Sequence, residues 1–125
     1  VSKKLGCFLV AMIALLVLMY FSVKSMSNLS PELILLNDTG LEIERAQVIL
    51  PSSRVTFPSL KAGQRVTRYY QLEQQDGQYE YFVEFSNDEL VEGSCGYITA
   101  HEAGKRMLLH VQGPDKVQCV LSSKL

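Results

Sequence analysis

The sequence predicts an all-β domain, either a small antiparallel β-sandwich (Ig-like) or a small barrel, carried behind one N-terminal transmembrane helix. Three observations predict it. Leu5 to Val23 is an unbroken apolar run with no charge inside it. From Glu32 onward, short stretches alternate apolar and polar residues with a period of two, the spacing of a half-buried strand. Clusters of Gly, Pro, Asn and Asp interrupt these stretches about every ten residues, the turn density of a sandwich or barrel.

The apolar run comes first. About 19 helical residues rise about 28 Å, close to the ~30 Å hydrocarbon core of a bilayer. Lys3 and Lys4 precede the run and Lys24 follows it. The more cationic end is expected to stay cytoplasmic, so the C-terminal part crosses. Residues 1–27 therefore read as a membrane anchor or uncleaved signal segment, with Ser25-Met26-Ser27 offering small residues for the competing, cleavable reading. Cys7 reads as a small apolar residue within the membrane helix. Residues 28–31 read as a linker, and residues 32–125 as an extracytoplasmic β domain of a size that fits one core and not two.

Beyond residue 27 there are nine basic and thirteen acidic side chains, a net charge of −4. A mildly acidic domain with no basic stripe argues against nucleic acid as a partner. Cys95 and Cys119 both fall in the exported part. An even pair in a small domain in an oxidising compartment is expected to form a disulfide.

The strands follow in order. Glu32 to Leu36 is an apolar run stopped by Asn37-Asp38-Thr39-Gly40, a turn composition. In Leu41 to Leu50, Ala46, Val48 and Leu50 share one parity and Ile43 has the other, which predicts a bulge or twist near Glu44. Pro51 and Pro58 confine the segment between them to an edge. Arg65 to Leu72 puts Val66, Arg68, Tyr70 and Leu72 on one face. Gln78 to Phe85 turns Tyr79, Tyr81, Val83 and Phe85 inward, and Asp76-Gly77 before it predicts a hairpin with 65–72. Gly96 to Thr99 is a short strand. Arg106 to Gln112 turns Met107, Leu109 and Val111 inward, and Lys116 to Leu121 does the same with Val117, Cys119 and Leu121.

Chemistry-bearing motifs are weak. Gly93-Ser94-Cys95-Gly96 with His101 and His110 has the ingredients of a thiolate–imidazole pair, but Cys95 is expected in the disulfide. Cys95, His101, His110 and Cys119 are too widely spaced for the close ligand pairs of a zinc knuckle. Asp88, Glu89 and Glu92 lack the alternating spacing of a calcium loop. No metal and no cofactor are expected. Asn28-Leu29-Ser30 and Asn37-Asp38-Thr39 match the N-glycosylation acceptor pattern.

On the parity above, Tyr69, Phe82 and Leu108 face away from the core and form the candidate interaction surface. The sequence thus points to a non-enzymatic, membrane-anchored domain in the cell envelope that works by protein–protein contact. It would serve as a subunit of an envelope complex or an inhibitor or immunity-type protein, periplasmic in a bacterial host. The bilayer and an envelope protein are its expected partners. The alternative is a small-ligand carrier or hydrolase with a pocket in a barrel mouth, lined by Tyr79, Tyr81 and Tyr97.

Overall fold

The computed structural model describes the backbone of residues 2–124 and the side chains of residues 3–21 and 30–124. The apolar run forms α1 (Ser2–Leu29), of which Lys3–Phe21 is long and apolar enough to cross a membrane, with none of those residues buried by the rest of the chain. The side chains of Val23, of Ser25-Met26-Ser27 and of Asn28 lie outside the described residues.

Eight strands follow: β1 (Glu32–Asn37), β2 (Ile43–Ile49), β3 (Arg54–Phe57), β4 (Arg65–Tyr69), β5 (Gly77–Phe85), β6 (Leu90–Ile98), β7 (Lys105–Gly113) and β8 (Lys116–Ser123). They make two four-stranded sheets, β4-β1-β7-β8 and β3-β2-β5-β6, here called sheets A and B. Neither closes on itself, so the architecture is a sandwich and not a barrel. The chain passes between the sheets after β1, β3, β4 and β6, while β2–β3, β5–β6 and β7–β8 are hairpins within a sheet.

Alternation placed the core residues well. Ala46 and Val48 of β2, Tyr79, Val83 and Phe85 of β5, and Met107, Leu109 and Val111 of β7 are all buried in one cluster between the sheets, and Leu33 and Leu35 of β1, whose apolar run carried no alternation, join them. The parity switch in β2 is the expected bulge: pairing to β5 slips between Ile43 and Arg45, which lets Ile43 join the core. β3 is the expected edge strand, paired only with β2 among the described residues.

Three expectations need correction. First, β5 does not pair with the 65–72 segment. β4 pairs with β1, and β5 lies between β2 and β6. β4 stops at Tyr69, and the connection that follows crosses to the other sheet, pinned there by the side chain of Gln74. Its Nε2 donates to Ser53 Oγ and Gln71 O, and its Oε1 accepts from Ser52 N. Asp76-Gly77 therefore ends a crossover and not a two-residue hairpin.

Second, the sheets are antiparallel except between β1 and β7, the one parallel pairing among the described residues. Third, the short strand at Gly96–Thr99 is the last part of a nine-residue β6 that starts at Leu90. Its glycines hid it. Gly93 leaves room for the Tyr81 ring, whose hydroxyl a Cβ there would strike, and Gly96 adopts a left-handed φ of 65° where the pairing to β5 slips. An extra residue with a left-handed glycine is the signature of a bulge.

The disulfide forms between Cys95 of β6 and Cys119 of β8, with Cα atoms 6.1 Å apart. These are neighbouring edges of the two sheets, so the bond closes one open side of the sandwich. Both sulfurs are committed there, and Cys7, exposed on α1, is the free cysteine among the described residues.

Candidate interaction surface

The registers of β1 with β4, β7 and β8 define the outer face of sheet A. Thr67, Ile34, Leu108 and Val120 form one row across it, and Arg65, Leu36, His110 and Gln118 form the next. Ile34 is only 7% exposed yet is not part of the interior cluster, so its neighbours on the outer face are what cover it. Leu36 and Leu108 are half-buried and Val120 is 46% exposed. The result is an apolar band across the middle of the face.

Polar and charged groups bound the band at both ends. Towards the end where α1 enters, the row is Tyr69, Glu32, Arg106 and Ser122. The nearly buried Glu32 carboxylate accepts from Arg106 Nε at 2.7 Å and lies 3.5 Å from Lys124 Nζ. Lys124 Nζ also donates to the Ser30 carbonyl at 2.8 Å and sits 5.5 Å above the Tyr69 ring. This cluster straps the last strand to the exit of the helix. At the far end, His110 Nε2 lies 2.9 Å from Asp38 Oδ2. An apolar centre with a polar rim is the anatomy of a protein-binding face.

Two of the three residues singled out in the sequence meet here. Tyr69, 61% exposed, stands at the edge of the face that carries Leu108. Phe82 does not: it lies on the outer face of sheet B, on the far side of the sandwich. Parity gives in or out, but not which sheet. Arg68 stands opposite Leu33 on the core parity, yet at the sheet's outer strand it reaches solvent, its Nη1 donating to Thr67 O. Leu121, expected on the inward face of its strand, and Tyr97, expected in a pocket lining, are instead 41% and 58% exposed, near a strand end and a bulge where the alternation breaks.

The three tyrosines of the alternative reading do not share a cavity. Tyr79 is in the core, Tyr81 is half-buried over Gly93, and Tyr97 is exposed. Tyr79 and Tyr70 instead hydrogen-bond through their hydroxyls at 2.8 Å, with edge-to-face rings. Burial above all pushes both phenols upward, and for Tyr79 the Tyr70 contact adds to the effect. Both stay protonated at any physiological pH.

Lys105 Nζ lies 5.3 Å above the Tyr79 ring, donates to Tyr97 O and pairs with Glu102 at 2.6 Å. Burial works to raise the Glu102 carboxyl, but Lys105 and the Thr99 N–H outweigh it and hold it below its ordinary 4.5. A depressed carboxyl contributes stability that is full above its ordinary value and is lost as pH falls through the folded one. The melting temperature is therefore expected to drop below about pH 4.5, and Glu102→Gln to flatten that drop; an unchanged slope in the variant would rule this source out.

His101 is exposed with a left-handed φ of 59°, and no three His, Cys, Asp or Glu gather into a metal-holding group among the described residues. Asp88 and Glu89 sit in the β5–β6 turn, and Glu92 faces out from β6. Asn37 is fully buried with its amide nitrogen given to the Leu41 and Leu60 carbonyls, so it is not placed to accept a glycan.

No family model matches the chain, and no curated protein matches it. A solved structure is similar, described as the NMR structure of the protein from Eubacterium rectale, with a TM-score of 0.54 and 11% identity. It covers 75% of this chain and 89% of its own. At that identity the likeness concerns the fold.

Proposed function

We propose that this chain is a non-enzymatic, membrane-anchored β-sandwich, displayed on the extracytoplasmic side, that works by binding another protein of the cell envelope. In a bacterial host that places the domain in the periplasm. The observation that carries the reading is the apolar band on the outer face of sheet A, with Leu108 at its centre, Tyr69 and Val120 exposed at its edges, the Glu32–Arg106 ion pair closing one end and the His110–Asp38 contact the other. Support for the compartment comes from the cationic start of α1 and from a cystine that an oxidising environment keeps closed.

The test is recovery of a stoichiometric partner from solubilised native membranes by the full chain. Leu108→Thr and Val120→Lys together are expected to remove that partner while leaving the melting temperature within a few degrees, since the half-buried position keeps a neutral β-branched residue and the charge goes to the exposed one. Equal recovery by the doubly substituted chain would sink the assignment of this face.

A further inference from the structure

The outer face of sheet B is divided by charge. Arg45 on β2 and Arg54 on β3 occupy one half, and Glu80 and Glu84 on β5 with Glu92 on β6 occupy the other. Between them lie Ile49, half-buried, and Phe82, half-buried. Arg45 Nε reaches Glu84 at 2.7 Å, but Arg54, Glu80 and Glu92 are exposed and make no ion pair among the described residues. A cleft of about 440 Å³ runs beside Phe82, lined by Ile49, Glu80, Glu92 and Ser94 among others. The face is apolar in the middle, acidic on one flank and basic on the other.

We infer that this face packs against the same face of a second copy of the chain, about a two-fold axis running along the strands. Such an axis carries β3 over the second copy's β6 and β2 over its β5. The basic flank of each copy then covers the acidic flank of the other. Arg54 comes over the second copy's Ser94, beside its Glu92 and Glu80, Arg45 comes over its Glu84, and the two Phe82 rings stand side by side at the centre. Self-complementarity of this kind is what an isologous interface requires.

The tether selects the same axis. Strand direction is preserved by a rotation along the strands, so both copies keep the entry to β1 at the same end. Both α1 helices then reach one membrane, which a face-to-face pairing with opposed strands would forbid.

The inference goes beyond the contact role proposed above and uses the opposite face, so each can fail while the other stands. The experiment is sedimentation of the full chain in density-matched neutral detergent. A dimer is expected, with a dissociation constant that rises roughly tenfold or more when Glu80→Arg and Glu92→Arg are combined, as reversed charges at an interface demand. Adding Arg54→Glu is expected to restore it to within about threefold. These exposed side chains leave the core untouched, and unchanged melting confirms it. A monomer across the accessible concentrations overturns the inference, including the case in which this face serves a different protein. A dimer indifferent to the reversals overturns it too, because the helices or another face would then hold the copies together.

Discussion

Replacing Cys95 and Cys119 together by serine is expected to lower the stability of the β domain by about 3 kcal/mol, the chain-entropy value for a loop of this length. The two positions are 24 residues apart and join β6 to β8 across the open side of the sandwich. Much of β8 is exposed, and Leu121 lies against Gly96 on β6. Urea unfolding of the full chain in detergent, with the double variant and with reduced wild type, measures the effect. Both should agree. A loss under about 1 kcal/mol would mean that the edge strands hold without the bond.

Asn37→Ala is expected to cost about as much, roughly 3 kcal/mol, because it strands several buried groups at once. Asn37 Nδ2 donates to Leu41 O at 2.8 Å and Leu60 O at 3.2 Å. Its Oδ1 accepts from the Thr39 amide at 3.2 Å and the Thr39 hydroxyl at 2.6 Å. Its own amide and carbonyl pair with Gln64 O and Gly63 N. One side chain thus organises the β1–β2 turn and ties it to the loop before β4. Asn37→Asp is the sharper arm: it keeps the acceptor but aims a carboxylate oxygen at two carbonyls, so its loss should equal or exceed that of alanine. A near-neutral Asp variant would show that water fills the gap.

What the sequence revealed, and what it did not, divides along the range of the interaction. Tyr79, Val83 and Phe85 were readable as core because parity is a local property of a strand. So was the bulge at Ile43, where the parity itself changes. The pairing of β4 with β1 and of β1 with β7 was not readable, since local periodicity carries no partner. Asp76-Gly77 looked like a hairpin because its chemistry fits one, and only the Gln74 contacts to a loop some twenty residues earlier show why the chain crosses there instead.

The candidate surface shows the same divide. Tyr69 and Leu108 share a face, but the Arg106–Glu32 pair that borders them joins residues 74 positions apart. Phe82 carries the same outward signal and belongs to the other side of the molecule. Its neighbours Glu80, Glu84 and Glu92 come from two strands joined by a short turn, and their opposition to Arg45 and Arg54 emerges only when the sheet is assembled.

The way α1 joins the sandwich has a mechanical consequence. The helix feeds directly into β1, which is an interior strand of sheet A, flanked by β4 on one side and β7 on the other. Under the proposed anchoring, tension between the bilayer and a bound partner would enter along β1 in shear. The ladder bonds to both neighbours resist together instead of opening one after another, as they would if an outer strand were peeled. The Lys124 contacts to Ser30 and Glu32 close the point where that load enters.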